Sequence, residues 1–125
     1  MVIGPFEIKN NIGLLALTES SIFVITLDFW TSLKYNISLQ IPFIFDNTID
    51  ELKNKPINYL LEKFKSERID YLDGLQADIV KSKLWKNQII VQHRGITTKL
   101  GILDRGRTDD YGNIISAKVE NYSKV

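Results

Sequence analysis

The chain contains no cysteine and a single histidine, His93, among its 125 residues. The absence of cysteine excludes disulfides, thiolate nucleophiles and the sulfur ligands of structural zinc sites, and it is typical of a reducing compartment. One histidine alone cannot build a metal site of the usual kind, and no glycine-rich loop that would cradle a phosphate is present. We therefore expect a domain that binds a partner, with no catalytic residue, cofactor or metal ion.

Long apolar runs are also missing. No run approaches the roughly 18 apolar residues that span a bilayer. The first seven residues are broken by Gly4-Pro5 and contain Glu7, which is unlike an export signal. With 44% hydrophobic and 25% charged residues, the composition is that of a soluble globular protein. We expect one cytoplasmic domain over residues 1–125, without membrane contact.

The net charge of +1 conceals an uneven distribution. Residues 79–108 hold seven basic side chains against one acid, Asp104, which is a local excess of six. The basic residues are Lys81, Lys83, Lys86, Arg94, Lys99, Arg105 and Arg107. Residues 46–51 instead carry three acids and no base. Such asymmetry bears on the choice of partner rather than on the fold.

The first third of the chain predicts an antiparallel strand meander. Residues 6–9, 12–17 and 22–30 are rich in strand formers and are separated by short polar turns. In residues 35–45 every odd position is apolar or aromatic, which predicts a further strand with one buried face. Pro42 cannot donate a ladder hydrogen bond, so this strand would lie at an edge or carry a bulge.

Helical periodicity follows the strands. Asp46, Asn47 and Thr48 offer capping oxygens for a short turn, and Pro56 suits the first turn of a new helix. An apolar stripe then recurs at helical spacing, over Ile57, Leu60, Leu61, Phe64, Leu72, Leu75 and Ile79. We predict a central amphipathic helical segment over residues 57–83, as one helix or as two broken near Ser66.

The last third predicts strands at residues 88–92, 96–103 and 114–119. A charged hairpin over residues 104–113, dense in turn formers, joins the last two. The predicted fold class is therefore α+β, with a strand meander, a central amphipathic helical segment and C-terminal strands that carry a charged hairpin.

Metal chemistry has three weak candidates. His93 is predicted in the turn between two strands. Glu-x-Lys triplets, which some nucleases use on a strand, occur at residues 7–9 and 51–53, and Glu7 would need Asp28 as a second carboxylate. The predicted hairpin holds Asp104, Asp109 and Asp110, but Arg105-Gly106-Arg107 breaks the pattern of an EF-hand calcium loop. For the hairpin we favour partner contact over an ion.

The candidates for partner contact are charged or aromatic. On the predicted helix, Glu67, Asp70 and Asp78 share one outer face that would suit a basic partner. The predicted hairpin offers Arg105, Arg107, Asp109, Asp110 and Tyr111. Trp85, inside the basic segment 81–107, would stack on a base if that segment followed a phosphate backbone.

The arrangement of residues 22–30, the polar link Thr31-Ser32, the predicted strand up to Phe45 and the amphipathic segment 57–84 resembles that of small bacterial immunity proteins, such as those of contact-dependent growth inhibition. The resemblance implies that the chain binds a cognate toxin tightly and blocks its active site or a required surface. In that role Trp85 and Tyr111 would be the aromatic anchors. The resemblance transfers no functional residues.

Two other functions remain as alternatives. The first is a nucleic-acid-associated accessory protein that uses residues 81–107, and the second is a metal-dependent enzyme that uses Glu7 with Asp28 or the hairpin acids. A homodimer formed through the strand edge near Pro42 is a further alternative.

Overall fold

The structure is a computed structural model that describes residues 1–41 and 47–123, without the side chains of residues 73 and 121–123. Its strands are β1 (Val2–Ile8), β2 (Asn11–Leu17), β3 (Ser21–Thr26), β4 (Lys65–Asp70), β5 (Gln76–Val80), β6 (Gln88–His93) and β7 (Ile96–Ile102). Its α-helices are α1 (Phe29–Gln40), α2 (Thr48–Lys53), α3 (Ile57–Lys63) and α4 (Thr108–Ser123). The predicted α+β class is confirmed.

The seven strands form one antiparallel sheet in the order β4-β3-β2-β1-β7-β6-β5. Strands β4 and β5 lie at opposite ends of this order, yet residues 71–75 alone connect them along the chain. A flat sheet would separate the two strands by about 29 Å, whereas six residue steps reach at most about 21 Å. The sheet must therefore curl. Glu67 on β4 accordingly lies 3.7 Å from His93 on β6, measured between Oε1 and Nε2.

Curling gives the sheet an inner and an outer face, each with its own core. The central strand β2 serves both, because Leu15 and Leu17 face inward while Leu14 and Ala16 face outward, and all four are buried. Helices α1, α2 and α3 pack on the outer face. Helix α4 packs on the inner face through Tyr111 and Ile115.

Helix α4 is fixed to β1 by one aromatic residue. The hydroxyl of buried Tyr111 donates to the Gly4 carbonyl at 3.0 Å, and its ring lies 5.1 Å from that of Phe6. One residue on, a Cβ at Gly112 would lie 2.9 Å from the Ile79 side chain, so the absence of a side chain there lets α4 approach β5 closely. These contacts keep one end of the inner core covered.

Several sequence predictions are confirmed. The structure has strands where residues 6–9, 12–17, 88–92 and 96–103 predict them. A short helix, α2, begins at Thr48, and α3 begins directly after Pro56. The predicted strand 22–30 is right in its first half, since β3 ends at Thr26.

The strand predicted over residues 35–45 is wrong where the structure describes it, because residues 29–40 form α1. Asp28 caps this helix: its carboxylate accepts from the Thr31 backbone N–H at 3.3 Å and from the Thr31 hydroxyl at 2.5 Å. The side-chain hydrogen bond from Thr31 holds the pKa of Asp28 below its ordinary value. Capping thus overrides the alternating pattern. Pro42, Phe43, Phe45 and Asp46 lie outside the described residues.

The helix predicted over residues 57–83 is also mostly wrong, because α3 ends at Lys63 and the chain continues as β4 and β5. Strand β4 pairs with β3 over six residues, from Ser21–Asp70 to Thr26–Lys65. Gly74, at a φ of 72°, ends a 3-10 turn between the two strands. The helical spacing of the apolar residues after Phe64 is therefore coincidental. Leu72 is 80% exposed, whereas Leu75 is buried in the inner core and Ile79 packs against that core.

The predicted charged hairpin and the strand 114–119 are replaced by a 3-10 turn at Arg105–Arg107 and by α4. The Thr108 hydroxyl donates to the Arg105 carbonyl at 2.7 Å and accepts from the Asn87 side chain at 3.0 Å. Asp109 and Asp110 occupy the first turn of α4, where the helix dipole favours acids. The turn formers of this segment start a helix rather than a hairpin.

A stability test follows from the contact between α4 and β1. We expect Tyr111→Phe to lower the free energy of unfolding by about 1 kcal/mol, because a buried hydrogen bond is lost while the ring packing is kept. Tyr59→Phe is the matched control. Among the described residues, the Tyr59 hydroxyl accepts only from exposed Lys63, at 3.2 Å, so the change should be within about 0.5 kcal/mol. Urea unfolding measures both, and equal effects would contradict the anchoring role of Tyr111.

Candidate functional site

The ladder between β1 and β7 consists of two residue pairs and ends there. Phe6 pairs with Ile102 and Glu7 pairs with Gly101, and no further pair joins these strands in the described chain. Strand β7 nevertheless continues to Ile96, and it pairs with β6 throughout. Residues 96–100 of β7 therefore lack a strand neighbour on the β1 side. We call this opening the β1–β7 cleft.

Backbone alternation shows which groups face the cleft. The Ile102 N–H donates to the Asn87 carbonyl at 2.8 Å, on the β6 side of the strand. In an antiparallel strand the backbone groups of successive residues point to opposite sides. The N–H and C=O groups of Thr98 and Leu100 therefore point to β6, and those of Thr97 and Lys99 point toward β1. No strand accepts them in the part of the chain that the structure describes.

Lysines dominate the charged lining of the cleft. The cavity has a volume of about 990 Å³, and its charged lining residues are Lys9, Lys65, Lys86, Lys99, Glu7 and Glu67. Lys86 pairs with Glu7 across the strand junction at 2.9 Å. The other three lysines make no ion pair with a described residue. The surplus of charge in the cleft is therefore positive.

Inner and outer sides of the sheet both line the cleft. Ile8 and Val24 belong to the inner core and give the deep end an apolar wall. Trp85, 78% exposed, stands at the outer end beside Lys86. A ligand in the cleft would meet apolar side chains and Lys65 on the inner face, and further lysines with one aromatic ring on the outer face.

His93 lies on the inner face next to Glu67, with only 8% of its surface exposed. Neither ring nitrogen has a hydrogen-bond partner among the residues that the structure describes, and the Glu67 carboxylate at 3.7 Å is beyond hydrogen-bond distance. Its predicted position beside a turn is confirmed, because Arg94 and Gly95 turn the chain from β6 to β7 with positive φ angles. Glu67 is thus both a wall of the cleft and the acid nearest to the histidine.

The acidic stripe predicted from Glu67, Asp70 and Asp78 does not exist as a helix face. The first two residues lie on β4 and the third on β5, at opposite ends of the strand order. Asp70 accepts from the Ser21 hydroxyl at 2.5 Å and from the Arg68 guanidinium at 2.7 Å. Asp78 is exposed beside α4. Of the three, the structure brings only Glu67 to the cleft.

The predicted contact residues of segment 105–111 are largely occupied within the molecule. Arg107 pairs with Asp110 at 3.1 Å, and Asp109 pairs with Lys81 at 2.9 Å. The Arg105 guanidinium donates to the Ser82 carbonyl. These side chains therefore tie the start of α4 to the chain between β5 and β6.

Tyr111 is not a surface anchor. It is 2% exposed, and burial raises the pKa of its hydroxyl. The prediction that Tyr111 contacts a partner is therefore wrong. Trp85 is exposed, as a contact residue must be.

Glu7 and Asp28, the carboxylates of the metal-dependent alternative, have other partners in the described structure. Glu7 is paired with Lys86, and Asp28 caps α1. The second Glu-x-Lys triplet lies on α2 rather than on a strand. Within residues 1–41 and 47–123, no three side chains among His, Asp and Glu are grouped so that they could hold a metal ion.

Helix α1 exposes a second surface that the sequence did not predict. Trp30 is 69% exposed and Phe29 is 64% exposed, and their rings meet edge to face at 5.5 Å. Leu33, Ile37 and Ile41 extend the surface at helical spacing from Trp30. We call these five residues the α1 patch. The signal that indicates it is Asp28 with Thr31 three residues on, a helix cap, ahead of an i, i+3, i+7 stripe.

Comparisons with protein-family models, curated proteins and solved structures give no match. Among the described residues, no helix combines the length and the apolar character that a membrane crossing requires. The α1 patch and the β1–β7 cleft are the two surfaces of the described structure that could contact a ligand or partner.

Asp70 provides a pH-dependent test of the local geometry. Hydrogen bonds from Ser21 and then from Arg68 hold the pKa of Asp70 below its ordinary value. A lowered folded-state pKa stabilises the fold above the unfolded pKa of about 3.9, and this contribution is lost as the pH falls through the folded value. We expect Asp70→Asn to lower the melting temperature at pH 7, with the difference from wild type shrinking toward pH 2.5.

The matched control for this test is Asp78→Asn, because the Asp78 side chain makes no ion pair or hydrogen bond with a described residue. Thermal unfolding followed by circular dichroism at pH 7, 4 and 2.5 measures all three proteins. A pH-independent difference between Asp70→Asn and wild type would contradict the ionic role of Asp70.

Proposed function

We propose that this chain is a non-catalytic protein-binding domain, and most concretely an immunity protein that binds and inhibits a cognate bacterial toxin. The observation that carries the proposal is the α1 patch. It places two adjacent exposed aromatic rings and exposed Ile37 on α1, with half-buried Leu33 between them and exposed Ile41 directly after the helix. Contiguous exposed apolar surface typically marks a contact site, and tryptophan is among the residues most enriched at the energetic centre of protein interfaces.

The patch stands on a fixed support. Ser32, on the opposite side of α1, is buried, and its hydroxyl accepts from the Ile12 backbone N–H of β2 at 3.2 Å. Tyr35 packs into the outer core with α2 and α3. Because the helix is held on its buried side and capped at Asp28, little freedom is lost when a partner covers the exposed side.

The chemistry of α1 favours a protein partner. Lys34 is the single charged residue among the twelve of the helix. A nucleic acid offers no apolar surface of matching size outside its bases, whereas a toxin domain can present one. Covering Trp30 and Phe29 would place the bulk of the domain over the toxin surface and thereby block access to it.

The second candidate is a nucleic-acid-associated accessory protein that uses residues 81–107. The exposure of Leu84 at 87% and Trp85 at 78%, next to lysines, favours it. Internal contacts weaken it, because Lys81, Lys86 and Arg107 pair with acids and Arg105 bonds to a carbonyl. Fewer cations remain to displace counterions from a phosphate backbone, and we expect a shallow dependence of any such binding on salt.

The test uses tagged protein in lysate of the source organism, with variants that differ at one exposed residue. We expect wild type to retain one stoichiometric protein that kills cells when expressed alone and is harmless when this chain is co-expressed. Trp30→Ala should weaken binding of that protein about 30-fold, since loss of an aromatic hot spot costs about 2 kcal/mol. Calorimetry on the purified pair measures the change.

Leu72→Ala is the matched control, because Leu72 is 80% exposed but lies between β4 and β5, away from α1. Its affinity should equal that of wild type, and unfolding curves should show that both variants fold. Retention of the companion by Trp30→Ala at wild-type affinity would refute the α1 patch as the contact. Elution of nuclease-sensitive nucleic acid without a protein would refute the protein-binding proposal in favour of the second candidate.

A further inference from the structure

We infer that the β1–β7 cleft binds an extended acidic segment of a polypeptide, which adds as a strand beside β7. The inference rests on the proposed function, because it names a segment that the protein partner presents. It concerns a surface separate from the α1 patch.

The unpaired side of β7 supplies the backbone partners. The N–H and C=O groups of Thr97 and Lys99 point into the cleft. The ladder between β1 and β7 ends with the pair Glu7–Gly101, so β1 does not pair with these two residues. Free strand edges bind extended peptides through main-chain hydrogen bonds, and side-chain pockets then set the specificity. Five residues, 96–100, give room for about 17 Å of an added strand.

The charges of the cleft select an acidic segment. Lys9, Lys65 and Lys99 line it without an ion pair to any described acid. Glu67 is the one lining acid that is not paired with a lysine, since Glu7 is held by Lys86 at 2.9 Å. Complementary charge on the segment would speed its association and fix its register.

The two walls predict the pattern of the segment. Ile8, Val24 and Lys65 lie on the inner side, whereas Lys86 and Lys99 lie on the outer side. Successive side chains of a strand point to opposite faces. The segment should therefore alternate an acid, which meets the outer lysines, with an apolar residue, which meets the inner wall.

A polypeptide fits this cleft better than a nucleic acid does. A strand edge presents N–H donors and C=O acceptors in alternation, and only another polypeptide backbone complements both. Phosphates would also face the carboxylates of Glu7 and Glu67, and a single exposed ring, Trp85, would serve as the stacking platform.

The probe is the peptide acetyl-Glu-Val-Glu-Val-Glu-Val-amide, and the reporter is the fluorescence of Trp85. Trp30→Phe makes Trp85 the sole tryptophan, because the chain has two. We expect saturable binding in the micromolar to millimolar range. In this background Lys99→Ala should raise the dissociation constant about fivefold or more, and Lys65→Ala, which removes a charge on the inner side, should raise it less.

Three controls separate strand addition from simple attraction of charge. Lys83→Ala removes a nearby positive charge that does not line the cleft, so its dissociation constant should be unchanged. The same peptide with N-methyl groups on its three valines keeps its charge but loses donors on one edge, and it should bind at least tenfold more weakly when that edge faces β7. N-methylation of the three glutamates instead tests the opposite edge.

Each outcome decides the inference. Equal binding of both methylated peptides and the parent would refute strand addition, and tighter binding of hexathymidylate than of the peptide would refute a polypeptide ligand. Absence of saturation at 5 mM peptide would refute the site itself. None of these results changes capture of a companion through Trp30, and loss of that capture leaves the peptide titration intact, so the two proposals fail separately.

Discussion

Two residue pairs, Phe6–Ile102 and Glu7–Gly101, join the two halves of the sheet, and the rest of the structure depends on this short junction. On one side lies the meander of β1, β2, β3 and β4, and on the other lies that of β5, β6 and β7. So short a ladder would hold the halves weakly by itself. The chain strengthens it with contacts from α4 and α2 to β1.

The Gly4 carbonyl is the centre of that reinforcement. The register of β1 against β2 shifts between Ile3 and Phe6, and within this irregularity the Gly4 carbonyl accepts hydrogen bonds from two helices. Tyr111 on α4 donates at 3.0 Å and Lys53 on α2 donates at 2.9 Å. One backbone oxygen thus connects the helix on the inner face, the sheet and a helix on the outer face. At the other end β1 stops at Ile8, one residue past Glu7, so β7 extends beyond it and leaves the cleft.

The sequence predicted the class of the fold and those strands that carry their own pattern. Strands β2 and β6 contain apolar runs, β7 is rich in β-branched residues, and turn residues adjoin all three, so local chemistry sufficed to find them. The sequence-based prediction failed where pairing with a distant strand or a helix cap determines the secondary structure. Residues 65–70 were predicted as helix because they lie inside a run of apolar residues at helical spacing, and they become a strand by pairing with β3. Residues 35–40 alternate like a strand, but the helix that Asp28 caps continues through them to Gln40.

The candidate site was predictable only in part, for the same physical reason. Exposure of Trp85 and the placement of Glu67 in a cleft agree with residues chosen from the sequence as contacts. Tyr111 was chosen for its aromatic ring, yet α4 turns it into the core, and no local pattern reveals that the ring has Phe6 as its neighbour. The cleft itself arises from the end of a ladder between residues almost a hundred positions apart, which periodicity cannot show.

The most direct test of the interrupted ladder is amide hydrogen exchange of β7 in the free protein, measured residue by residue by NMR. The N–H groups of Thr98 and Leu100 point to β6 and should be protected, whereas those of Thr97 and Lys99 point into the cleft and should exchange much faster. This alternating result would establish an open strand side beside β1. Equal protection of all four amides would mean that the β1 side of β7 is covered, and it would contradict the account of the cleft.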